Sequence, residues 1–430
     1  MNKMGYSSLR NAKPLRQANY FLLALNTFLA LQLVVALMLT HKGIIPGFSD
    51  IKWFSNTIFS SIFFFIALCG GIFIYASIYC YHQNNSWSFL IVGILLTTLY
   101  IVKNIFFPES TYAIANPIAI IIWLACLASL IWGTVSLKKN ERDSSINLLL
   151  TFTLLPLFIL ASSFFLALTI IYHPNTQDTL LMAIDATLGL QPSFLAGQWF
   201  AYLPSLIILL IKTIYLGLPF ALAVVYIGRY FQAKHPPFEL IIEFFLIGLF
   251  GMLLYHINTG CGPINAFKPH WPQQIPIVPM QPKPELCIGT FLPRNCLPSL
   301  HTAWVVCLWR HSLPCTRRIR WLITFWVICT LAGTLGLGEH YLVDLLVGFA
   351  FASFTGGLCA INLSIKQPAR YMAIVGGALI CIGWYLLINF GLELLRISPF
   401  IAWFFYSSSV LLTCLLEFKL TSAQKLEDTE

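Results

Sequence analysis

Charge is what this sequence has least of. Asp, Glu, Lys and Arg make up 10% of its 430 residues against 58% hydrophobic, and the mean hydropathy is +0.80. A soluble domain carries roughly a quarter charged residues, so the composition excludes a chain of soluble domains and requires a multi-span membrane protein. A signal-peptide cleavage pattern is also missing. The first apolar run, 19–40, follows a basic tail holding Lys3, Arg10, Lys13 and Arg16; no small-x-small pattern follows it, and about 22 residues exceed a signal-peptide core. It reads as a retained anchor. Zinc-ligand spacing is absent too. Most of the twelve cysteines lie in apolar stretches, and Cys261, Cys287 and Cys296 share one loop without histidines at ligand spacing. One disulfide among those three would leave a partner free, and no metal or other cofactor is expected. No internal repeat of the kind that marks alternating-access transporters is evident.

What is there is hydrocarbon in helix-length pieces. About twelve apolar stretches can be drawn, at roughly 19–40, 57–81, 88–107, 117–137, 146–172, 203–229, 239–257, 298–313, 319–338, 340–364, 371–391 and 397–416. The expected fold is all-α, a polytopic membrane bundle of about 12 helices. Orientation follows from Lys and Arg. With the N-terminus inside, the inner segments receive Lys138, Lys139, Arg142, Arg229, Lys234, Arg310, Arg317, Arg318, Arg320, Lys366, Arg370, Lys419 and Lys425. The outer segments keep Lys42, Lys52, Lys268, Lys283, Arg294 and Arg396. That asymmetry obeys the positive-inside rule and makes both termini cytoplasmic. Because the net charge of +9 is laid out at span ends, it sets topology and calls for no nucleic-acid partner.

The same topology puts loops 173–202 and 258–297 outside. The second is studded with Pro263, Pro269, Pro272, Pro276, Pro279, Pro282, Pro284 and Pro293, so it cannot be helical along its length; an ordered cap and an extended connector are both open readings. In the first, DTLLMAIDATLG sets Asp178 and Asp185 two turns apart on one face. That pattern predicts a short interfacial helix with a wet acidic side.

Chemistry concentrates in PSLH (298–301) and GEHYLVD (338–344). His340 and Asp344 are i,i+4 and therefore neighbours on a helix. A carboxylate one turn away fixes the imidazole tautomer and leaves the other nitrogen free to attack. His301 opens a helix behind Pro298, where free backbone N–H groups favour an anion and a histidine can protonate a leaving alkoxide. Lys268, Lys283 and Arg294 stand against Glu285 in the loop alongside, a balance that suits an anionic substrate. A His–Asp pair within a membrane is also compatible with a proton relay in a transporter, but convergence of three ionisable residues beside those cations favours catalysis.

PRNCLPSLHTAW (293–304) and TLGLGEHYLVDLLVG (334–348) resemble the second and third signatures of the type 2 phosphatidic acid phosphatase superfamily. Together with DATLGLQPS (185–193) and YHINTGCGPINAF (255–267), they are similar to its branch related to inositol phosphorylceramide synthases. The resemblance implies a six-helix catalytic core over 146–365, flanked by a four-span region at 1–145 and a two-span region with a cytoplasmic tail at 366–430. It implies His340 as the nucleophile that becomes phosphohistidine, Asp344 as its orienting carboxylate, His301 as the acid and then base, and no metal. Two departures stand out. The first signature, Lys–six residues–Arg–Pro, is missing, and Gly333–Thr334 replaces the Ser–Arg that opens the third. Arg294 is the candidate replacement cation and Lys212 the second, with Ser299 and Tyr341 as further phosphate or substrate contacts. The expected activity is a lipid phosphatase or phosphotransferase of the inner plasma membrane, with its active site on the extracytoplasmic face. A membrane lipid would be the substrate and a lipid alcohol a candidate acceptor. The alternative is a transporter or binding protein that relays protons through the cluster.

Overall fold

A computed structural model describes residues 12–41, 58, 61–82, 115–136, 139–233, 236–268, 270–286 and 292–427. The expected span at 88–107 lies outside them, as does Cys287. Seven described helices are long and apolar enough to cross a membrane, and eight if Ser205–Leu216 and Leu218–Ala233 count as one broken span. The seven coincide with expected stretches. Three others form helices that are shorter: Ile62–His82, apolar over 62–78, Phe238–Leu254 of 17 residues and Leu300–Ser312 of 13.

In chain order the helices are α1 (Ala12–His41), α2 (Ile62–His82), α3 (Ala115–Ser136), α4 (Lys139–Tyr172), α5 (Asp178–Ala186), α6 (Pro192–Ala201), α7 (Ser205–Leu216), α8 (Leu218–Ala233), α9 (Phe238–Leu254), α10 (Pro263–Ala266), α11 (Leu300–Ser312), α12 (Arg317–Gly336), α13 (Leu342–Cys359), α14 (Pro368–Phe390), α15 (Leu392–Arg396) and α16 (Pro399–Glu427). One antiparallel pair, β1 (Asn175–Thr176) with β2 (Glu285–Leu286), ties the two long loops together. The chain packs as two units, Met1–Phe164 with Pro219–Ile241, and Phe165–Leu218 with Ile242–Glu430.

In the first unit α1 and α4 are joined by side-chain amides. Asn147 donates to Asn19 Oδ1 (3.0 Å), Thr153 to Asn26 Oδ1 (3.0 Å), and Asn26 to the Leu150 carbonyl (3.1 Å). Apolar surface gives no net attraction between helices in lipid, so such polar contacts and close packing hold them. Trp123 stacks on Phe152 at 4.9 Å and joins α3 to α4.

In the second unit α13 is the central helix, packed against α5, α11, α14 and α16, while α12 packs on α6, α7 and α11. The approach of α11 to α13 is set by Gly348, where an added Cβ would lie 2.3 Å from the Ser299 carbonyl oxygen. Deeper along these helices Arg310 donates to both carboxylate oxygens of Glu417 (2.8 Å each), to Glu243, and to the Ala352 carbonyl. His311 pairs with Glu243 at 2.9 Å, and Ser353 donates to Glu417. Arg310 is therefore a buried partner of carboxylates from α9 and α16 rather than one of the loop cations that orient the chain, whereas Arg317, Arg318 and Arg320 are exposed. A guanidinium out of water must be paired and hydrogen-bonded. α14 and α16, which carry no sequence motif, belong to the same unit as α13.

Candidate active site

Two helix starts meet here. Ser299 caps α11, its hydroxyl accepting from the Thr302 N–H and Oγ1, and its own N–H donates to the Asp344 carbonyl at 3.0 Å. That bond fixes the first turn of α11 against the first turn of α13. His301 and His340 are thereby brought to a ring separation of 6.3 Å with their planes 65° apart. His340 Nδ1 stands 3.3 Å from Asp344 Oδ2, and the same oxygen accepts the Tyr341 N–H at 2.8 Å. Asp344 Oδ1 is buried and has no hydrogen-bond partner among the described residues. His340 is buried, and half-buried His301 lies under Tyr215, stacked at 3.9 Å and 13°.

The turn carrying His340 is held from several sides. Its N–H donates to the Thr334 carbonyl (3.2 Å) and its carbonyl accepts from Ser193 (3.0 Å). Cys296 donates its thiol to the Glu339 carbonyl at 3.3 Å. Gly262, at φ +84°, presses on the same peptide, and a Cβ there would fall 2.4 Å from the Glu339 oxygen. The loop 258–286 is packed over this turn, with Trp271 edge-on to Phe194 at 4.8 Å. Of the two readings of that loop, the ordered cap is the one its packing fits.

Asp178 and Asp185 are not on a wet face. α5 is almost wholly buried. Asp178 accepts from the N–H groups of Cys261 (3.1 Å) and Gly262 (3.0 Å) and from the Tyr341 hydroxyl (2.9 Å). Asp185 accepts from the N–H groups of Leu342 (2.7 Å) and Val343 (3.1 Å) and from Tyr406 of α16 (2.7 Å). The i,i+7 spacing was the signal in the sequence. Hydropathy reads it as exposure because it cannot see the donors that wait for the carboxylates. Burial pushes the Asp185 carboxyl up to about 7, against the downward pull of its three donors. With Asp185 on it, the α13 start is already capped and is not free to take a phosphate.

The remaining candidates part company. Tyr341, expected as a phosphate or substrate contact, is buried and donates its hydroxyl to Asp178. Arg294 is 2% exposed, and its guanidinium donates to the carbonyls of Leu292, His173 and Pro174. It braces the loop rather than reaching toward His301 and His340. Lys212, exposed on α7, is close enough to Glu339 for its charge to be felt there. Burial raises the Glu339 carboxyl, and His340 and then Lys212 pull it down. Of the two proposed cations, Lys212 therefore stands near the residue beside His340, while Arg294 is engaged by the loop's carbonyls. Neither Cys261 nor Cys296 is in a disulfide; the Cys261 thiol donates to Asp178 at 3.3 Å.

A buried imidazole with one nitrogen on a carboxylate, and a second histidine across a short gap, can attack an electrophile and pass a proton to what leaves. Residues 179–358, which hold His301, His340 and Asp344, match the family model described as PAP2 superfamily. No curated protein and no solved structure matches the chain.

Proposed function

We propose that this membrane protein transfers the phosphoryl group of a lipid phosphate through His340. The observation that carries the reading is the His301–His340–Asp344 arrangement inside the segment matching the PAP2 superfamily. Asp344 holds His340 Nδ1–H, so Nε2 keeps its lone pair. Nε2 attacks phosphorus, the bond to the leaving alkoxide breaks, and His301 supplies that oxygen with its proton. His301 then takes a proton from the acceptor, whose oxygen attacks the phosphohistidine and restores His340.

Water as acceptor makes the protein a phosphatase; a lipid alcohol makes it a transferase. The missing Lys–Arg–Pro signature and the likeness to inositol phosphorylceramide synthases favour transfer, with Lys212 offering positive charge to the phosphate. Positive-inside charge favours the extracytoplasmic leaflet as the source of lipid. Purified protein in vesicles holding phosphatidic acid, a polyprenyl pyrophosphate or a phosphoinositide tests the reading through released phosphate and new lipid species. Wild type should turn over at least one of these, with acid-labile, base-stable phosphate on His340, and His340→Ala should be inactive. Full turnover by His340→Ala would refute the mechanism.

A further inference from the structure

Cys296 takes no part in the phosphoryl chemistry, yet its thiol lies with His340 and Asp344 in a buried group whose Sγ, imidazole nitrogen and carboxylate oxygen all fall within 4.8 Å of one another. Asp344 Oδ1 is a fully buried carboxylate oxygen to which no described residue donates. A carboxylate oxygen left bare out of water is costly unless something positive can reach it. Thiolate, imidazole and carboxylate are the three donor types of an open zinc site, with bond lengths of roughly 2.0–2.3 Å and a fourth position free. Donors on one tetrahedral ion stand about 3.3–3.6 Å apart, so a closure of about an ångström would suffice.

We propose that Cys296, His340 and Asp344 form an inhibitory site for a thiophilic divalent cation of the zinc class. The cation binds the Cys296 sulfur and displaces its proton to solvent. It takes one oxygen of Asp344 and a nitrogen of His340: bound at Nε2 it occupies the lone pair needed for attack, and bound at Nδ1 it sends that nitrogen's proton to Nε2, which uses up the same lone pair. A bound dication removes the proton of a coordinating thiol outright. A second group of the same composition, Glu243, Cys307 and His311, is a poorer host. There the Glu243 oxygens already accept from Arg310 and His311, and the guanidinium repels a cation.

Inhibition rests on the function proposed above; binding does not. The test titrates Cd2+ into the full-length protein in detergent and reads the ultraviolet thiolate-to-metal charge-transfer band. Wild type should saturate at one equivalent. The band should disappear in Cys296→Ser and in Cys296→Ala, compared as monodisperse preparations, and persist in Cys307→Ser. A band that survives both Cys296 substitutions, or no band in wild type, would overturn the proposal. In the vesicle assay Zn2+ should inhibit wild type at a concentration at least tenfold below that needed for Cys296→Ser; equal sensitivity would also overturn it. If no lipid is turned over while the Cys296-dependent band is present, the proposed function fails and the metal site stands.

Discussion

Asp185→Ala should cost more than any other single change in this site that leaves its chemistry untouched. The carboxylate satisfies the first two N–H groups of α13 at 2.7 and 3.1 Å and the Tyr406 hydroxyl at 2.7 Å, with no exposure to solvent. Deleting it strands three buried donors. Each stranded donor costs about 1–3 kcal/mol, and losing a charge at a helix N-terminus adds about 0.3–1 kcal/mol. Allowing for relaxation, the loss is about 3–5 kcal/mol, at the edge of what single substitutions do. For a body of this size that lowers Tm by roughly 6–20 °C, measurable by thermal scanning in detergent. Tyr406→Phe removes one of the three and should cost about 1.5–3 kcal/mol. In the Asp185→Ala background the same change should cost close to nothing, because its partner is gone. Asp185→Asn keeps the shape but turns a donor toward donors, and should fall between the two. A Tm for Asp185→Ala within 2 °C of wild type, or equal Tyr406→Phe costs in both backgrounds, would refute the argument that this carboxylate holds α13 in place.

Three further outcomes follow from the same contacts. Gly262→Ala combines a positive φ with a Cβ that would press on the Glu339 carbonyl, so it should destabilise by about 1–3 kcal/mol and lower kcat by displacing His340; unchanged kcat would show that the turn is not held from this side. Arg310→Ala takes the guanidinium from buried Glu243 and Glu417, leaving His311 on one and Ser353 on the other, and should cost about 3–5 kcal/mol, read as lost Tm or lost folded yield in detergent. Asp344→Asn should shift Tm little while lowering turnover on the order of 10³–10⁴-fold, the size expected when an imidazole loses its orienting carboxylate; a Tm fall as large as that of Asp185→Ala would make Asp344 a framework residue instead.

How legible the site was in the sequence depends on the range of the interaction. Apolar length located the seven crossing helices, since lipid demands it locally. The i,i+4 spacing set His340 beside Asp344 for the same local reason. Asp178 and Asp185 went astray because a carboxylate is buried only where donors converge. Theirs come from residues 261–262, 341–343 and 406, which lie 83 to 221 positions further along the chain. Arg310 was hidden likewise, with its carboxylates on α9 and α16. Arg294 shows the opposite error. A cation near a candidate site is naturally assigned to the substrate, but the loop's own carbonyls can claim it first.

The three buried carboxylates around the His340 turn differ in a way that sorts framework from chemistry. Asp178 and Asp185 each have donors on both oxygens, drawn from backbone N–H groups and a tyrosine hydroxyl. Groups so fully satisfied rigidify a fold. Asp344 spends one oxygen on His340 Nδ1 and the Tyr341 N–H and leaves the other bare. A fold selected for stability alone would have no reason to retain that bare oxygen, since a donor or an apolar side chain would lower the free energy of the site. Its presence beside a buried imidazole is what a site retains when positive charge must appear there during turnover. In the proposed mechanism the imidazole that attacks phosphorus would supply that positive charge, and the two satisfied carboxylates would hold its turn still.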